Sequence, residues 1–158
     1  MIRAPLAFAL LFAFAAHGQP PRPLIPSNEK LPPPKLEPVA ETKLLMDALA
    51  KPNFTALGKL LKDKPADADG WRFARGQALL LAETGNLLML RPPRAKAAQD
   101  TWLGKAADLR KAATTLATAA GTKDYATARA GLAAVANACN RCHESFRVAV
   151  RVTPFDGD

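Results

Sequence analysis

Histidine, cysteine and tyrosine are scarce in this 158-residue chain, with two, two and one of each. That scarcity excludes a network of disulfides. It also argues against a structural zinc site, which needs four ligands: His17 lies in a segment read below as removed, leaving Cys139, Cys142 and His143 one short. Runs of β-branched residues alternating with polar ones are missing, so no strand is expected. Long apolar runs are missing too, except for one near the start, and no other segment could cross a membrane. Nor is there a basic stripe interleaved with aromatics, which sets nucleic acid aside for an exported protein.

The one apolar run, Leu6 to Ala16, follows a single positive charge at Arg3 and is short for a bilayer span. It reads as a secretory signal over residues 1–18, cleaved near Ala16 to Gly18, with retention as an anchor the alternative. Residues 19–38 hold eight prolines. They predict an extended, polyproline-like tether. Residues 39–152 suffice for one domain, and 153–158 form a tail.

The domain is alanine-rich and divided by turn signals into four helical stretches. The first runs from about Pro38 through Leu49, with a kink or break expected at Pro52, and resumes with Phe54, Leu57, Leu60 and Leu61 on one side. Asp67 or Asp69 caps the second, whose Trp71, Ala74, Ala78, Leu81 and Leu88 keep helical spacing until Arg91-Pro92-Pro93-Arg94. The third starts near Asp100, carries Trp102, Ala106, Leu109, Ala113, Leu116 and Ala120, and stops at Gly121. Asp124 caps the fourth, in which Tyr125, Ala128, Leu132, Val135, Cys139, Cys142 and Phe146 recur up to a stop at Pro154. The fold class expected is all-α, a four-helix antiparallel up-and-down bundle. Core alanines supply little bulk, so a prosthetic group should furnish much of the buried apolar surface, and the bundle should be loose without it.

Cys139-Asn140-Arg141-Cys142-His143 is a C-x-x-C-H sequence, the signature of covalent haem attachment. At about 100° per residue, the two thiols and the imidazole project within roughly 100° of one another on a helix. Two thiols there can add to the haem vinyls while His143 reaches the iron. The alternatives meet obstacles. A disulfide at i, i+3 is awkward within a helix, and a thioredoxin-type pair belongs at a helix N-terminus. With two cysteines and one remaining histidine, one covalent haem c follows, and it is not bis-histidine. The remaining candidates for a sixth ligand are the sulfurs of Met46 and Met89, the latter better read as core.

Residues Cys139 to Arg147, reading C-N-R-C-H-E-S-F-R, resemble the C-terminal haem motif of class II c-type cytochromes, the cytochrome c-prime group and its low-spin methionine-ligated relatives. The resemblance spans about 115 residues, strongly only in the last helix. It implies that Cys139 and Cys142 bind the haem vinyls, that His143 is the proximal ligand, and that Phe146 and Arg147 lie beside the porphyrin. As residues i+3 and i+4 from His143 on a continuing helix, both could face the macrocycle. In this group the first helix supplies either a methionine ligand or an apolar residue that leaves an open position. Met46 is the candidate for the first, and Leu45 or Leu49 would cover the iron in the second. Many members carry an arginine one turn earlier, where Thr42 stands here, so Lys43 is the cation nearest the propionates.

The chain carries a formal charge of +8, or +7 without Arg3. Such a surface favours acidic redox partner proteins or an anionic membrane surface through salt-sensitive steering. The leading expectation is a periplasmic monohaem electron carrier that transforms no substrate. The alternative is a five-coordinate module binding nitric oxide or carbon monoxide. A peroxidase would want a distal acid–base group, and no second histidine provides one. A homodimer through the first two helices, common among similar proteins, is compatible with the surface.

Overall fold

A computed structural model describes residues 34–155. The signal reading, most of the proline-rich segment and the last three residues lie outside the described residues. The described part of the tether, residues 34–38, is exposed and has no regular secondary structure. The remainder is the expected four-helix antiparallel bundle, with no strand among the described residues. No helix among them is long and apolar enough to cross a membrane.

The first rod is continuous but not uniform. Helix α1 (Thr42–Leu45) passes into a π-helical turn (Met46–Ala50) and then into α2 (Lys51–Lys62). Pro52 has no N–H, and its ring would strike the carbonyl of Ala48 in a regular helix. The chain avoids a break by widening one turn earlier, where the Lys51 N–H bonds the Met46 carbonyl five residues back. The side chain of Asn53 then donates to the Leu49 carbonyl at 2.6 Å. The interruption expected at Pro52 is therefore absorbed as an expanded turn.

Helix α3 (Ala68–Met89) starts as expected at Asp67, whose carboxylate accepts the Gly70 N–H at 2.7 Å. Helix α4 (Lys96–Gly121) starts four residues before Asp100, because Lys96-Ala97-Ala98-Gln99 are good helix formers and Gln99 bonds back to the Pro93 carbonyl at 3.0 Å. It ends at Gly121, the expected stop, although the glycine is not the left-handed residue. The helix runs through Gly121 and turns at Lys123, which takes the left-handed conformation (φ 58°). The N–H groups of Lys123 and Asp124 return to the carbonyls of Ala120 and Ala119, satisfying the last turn. Asp124 then caps α5 (Tyr125–Ser145) through Thr127.

Around the ring α2, α3, α4, α5 each helix touches the next, and α5 returns to α2. The expected stripes are the core: Trp71, Ala74, Ala78, Leu81, Leu88, Ala106, Leu109, Ala113, Leu116, Ala120, Ala128, Leu132 and Val135 are all buried. Among the described residues, eleven of the 22 buried apolar ones are alanine, so the helices approach closely in place of interlocking large side chains. One end of the bundle joins Lys62 to Tyr125, whose hydroxyl donates to the Lys62 carbonyl at 2.9 Å. The other end gathers Ala40, the α3–α4 connection and the close of α5. There Arg91 donates to the carbonyls of Ala40 (2.9 Å) and Leu87 (2.6 Å).

Candidate haem site

The last turns of α5 carry both cysteines and His143. Cys139 continues the buried stripe of Leu132 and Val135 and packs on the core, and Cys142 is half-buried one turn on. Both thiols are free. Burial, reinforced by the nearby Cys142, pushes the Cys139 thiol up to about 11. Burial raises Cys142 as well, against the pull of Lys105 on α4. At neutral pH both are protonated thiols.

His143 is half-buried and its Nδ1 lies 2.8 Å from the Val150 carbonyl oxygen. A carbonyl can only accept, so Nδ1 carries the proton. In the neutral ring, Nε2 is then the nitrogen with the free lone pair, the form a metal requires.

Val150 can reach His143 because α5 ends sooner than its periodicity implied. The helix was expected to run to Pro154; it stops at Ser145, and Arg147 adopts φ 55°. The N–H of Arg147 returns to the Glu144 carbonyl and that of Val148 to the His143 carbonyl at 2.8 Å, a complete helix-end motif with arginine where glycine is usual. The residues that follow, Val148-Ala149-Val150-Arg151-Val152-Thr153, are mostly β-branched and poor helix formers. They fold back along α5 as a strap. Asn140 grips it twice: its amide donates to the Val152 carbonyl and its oxygen accepts the Val152 N–H, both at 2.8 Å. Phe155 lies against the Arg129 guanidinium, 4.1 Å from its ring centroid.

Phe146 sits at the end of the same face. Its ring meets Trp102 of α4 edge to face, centroids 5.1 Å apart at 77°. The Trp102 Nε1–H donates to the Leu88 carbonyl at 2.7 Å, so the aromatic pair ties the ends of α3, α4 and α5 together. Arg147, exposed at the left-handed turn, does not share the helical face of His143 that a continuing helix would have given it.

The π-turn that holds Met46 packs against α3. Met46 and Leu49 are half-buried on the core, and Leu45 is buried. Lys43 is exposed and forms an ion pair with Asp47 one turn on, which raises its pKa mainly through that hydrogen bond. Met89 packs on the core as expected, with Arg110 approaching its sulfur at 3.9 Å.

Asn140, Val150 and Trp102 were not singled out for the site from sequence. The β-branched run after Arg147 was the signal that the helix stops early. Nothing local announces that a backbone carbonyl seven residues beyond His143 meets its ring.

The donor set fits a haem. It offers two unpaired thiols at i and i+3, an adjacent imidazole whose protonated nitrogen is already engaged, and an aromatic pair at the edge. No curated protein and no solved structure matches the chain. Residues 93–147, covering α4, α5 and the whole C-x-x-C-H sequence, match the family model Cytochrome C'. That match, on a four-helix bundle with the motif in its last helix, supports a class II c-type cytochrome.

Proposed function

We propose that the protein is a periplasmic monohaem c-type cytochrome that carries electrons. Cys139 and Cys142 hold one haem through thioethers, His143 binds the iron through Nε2, and Met46 is the sixth ligand. Bound there, the haem supplies a ferric/ferrous couple, and methionine ligation raises its potential relative to harder ligands. The chain's own residues position and shield it: α5 presents the three attachment points, Phe146 and Trp102 cover an edge, and the Val150 carbonyl fixes the His143 ring. Lys43 is the cation we assign to the porphyrin's charged rim. Export rests on the amino-terminal pattern, and the surplus of positive charge suits acidic redox partners.

The observation that carries this reading is His143 beside two free thiols, with Nδ1 already donating and Nε2 left to coordinate. A second reading, an open iron that binds small gases, is favoured by buried Leu45 and half-buried Leu49 flanking Met46, an apolar wall in place of a ligand.

Purification from a host that makes c-type cytochromes tests both. The expected product is red, with the mass of the chain plus one haem, a ferric sulfur-to-iron band that Met46→Ala abolishes, and slow carbon monoxide binding. Rapid carbon monoxide binding to the ferrous protein would select the open-iron reading. Colourless protein with unmodified thiols would sink both.

A further inference from the structure

The two residues between the cysteines of a C-x-x-C-H sequence have no bond to make to a porphyrin, yet Asn140 has both ends of its amide committed. Its two bonds to Val152 are made to backbone twelve residues away, as one strand would pair with another. Between the left-handed turn at Arg147 and this clasp, the chain has few ways to lie, and Val150 falls midway with its carbonyl on Nδ1 of His143. Beyond the clasp, Phe155 on Arg129 holds the strap down. A cavity of about 160 Å³ lies under the strap, lined by Asn140, His143, Glu144 and residues 148–151.

We propose that Asn140 is a positioning residue for His143: by clasping Val152 it holds the Val150 carbonyl against Nδ1, and so fixes both the tautomer and the orientation of the ring. What Nε2 then binds rests on the haem reading above; the clasp and the tautomer do not. The chemical consequence follows from outer-shell hydrogen bonding. A histidine that donates from its far nitrogen is the more basic ligand and stabilises the higher oxidation state. With a haem bound, the strap would lower its reduction potential and strengthen the hold of His143 on the iron.

The test uses the haem-loaded full chain, Asn140→Leu, which is close in size but has no amide, and a chain ending at Val148. Expected in both variants are exchange of the His143 Nδ1 proton with water about tenfold faster, the equivalent of one ordinary hydrogen bond, a more positive potential and a lower iron–histidine stretching frequency. Helical content should be unchanged. Asn140→Asp keeps the acceptor for the Val152 N–H and should fall between, which also covers a failure of Asn140→Leu to fold. Unaltered proton exchange and potential in folded variants overturn the proposal. If the exported chain carries no haem, the functional reading fails, and the ring of that haem-free chain decides the clasp. Nδ1–H in the wild type and a tautomer mixture in Asn140→Leu support it; Nε2–H in the wild type defeats it.

Discussion

The seam between α3 and α4 and the seam between α2 and α5 are closed by different means. Along α3–α4 the backbones nearly touch: a Cβ built on Gly85 would stand 2.8 Å from the Ala106 carbonyl oxygen and 2.9 Å from the Arg110 nitrogen. Between α2 and α5, contacts are few, and long side chains bridge the space. Arg129 and Tyr125 reach across to the carbonyls ending α2, at 2.6 and 2.9 Å from that of Lys62. The strap lies here as well, with the Pro154 carbonyl oxygen 2.7 Å from a Cβ built on Gly58. One seam is shaped by rigid backbone and the other by groups that can move aside. The thiols and His143 belong to the helix that both α4 and the looser seam share, and a prosthetic group needs room that close-packed backbones do not give.

The largest expected effect should come from the close-packed core, where α4 also meets the backbone of α5. Leu116 is fully buried on α4, against Gly131 of α5, where surrounding backbone cannot collapse into a void. Leu116→Ala is expected to cost roughly 2–5 kcal/mol in denaturant unfolding. Phe155→Ala, on the strap, should cost well under half of that. Equal losses would mean that the strap is as integral as the core.

A sharper version uses two glycines that face equally short distances. Gly85→Ala must push helix backbone apart and should destabilise by about 1–3 kcal/mol. Gly58→Ala meets only the carbonyl of a strap that can shift, and alanine gains about 1 kcal/mol of helix propensity over glycine. Its melting temperature should stay near the wild-type value. Should Gly58→Ala prove the more damaging of the two, the strap is the rigid element.

The same contrast explains what could be read from sequence. The stripes of α3, α4 and α5 predicted the centre of the core, because a period near 3.6 survives whenever one face is buried against close neighbours; Trp102, Tyr125, Cys139, Cys142 and Phe146, at the helix ends, are only half-buried, and Ala82, Ala117, Ala119, Ala136 and Ala138 join the core beside the stripes. Asp67 and Asp124 were legible as caps because a carboxylate at that position has one local job. Local signals were less decisive where alternatives competed. Gly121 does end α4, yet the left-handed residue is Lys123, since the satisfied carbonyls of Ala119 and Ala120 offset the strain of a side chain there. At Pro52 the sequence announced trouble without saying how the chain would resolve it. The C-x-x-C-H spacing was legible as one helix face: Cys139, Cys142 and His143 stand on α5 and fall within the family match. Its surroundings were not, because the clasp of Asn140 and the carbonyl of Val150 are long-range backbone bonds with no residue pattern of their own.

The smallest expected effect compares the two thiols in the haem-free chain. Burial first, and Cys142 second, hold the Cys139 proton in the folded state to about pH 11, against an ordinary 9.0. A folded pKa above the unfolded one means that the native state binds more proton between the two values, so its contribution is complete below pH 9 and is lost as pH rises through that window. From pH 9 to pH 10 the loss should be about 1 kcal/mol, since one proton held across a full pH step is worth about 1.4 kcal/mol at most. Subtracting the same measurement on Cys139→Ser isolates it from the lysines and the tyrosine. Alkylation gives a second measure: thiolate is the reactive form, so at pH 8.5 Cys139 should react more slowly than Cys142, and both more slowly than in urea. If Cys139 is alkylated first, the last turns of α5 come away from the core in the haem-free chain.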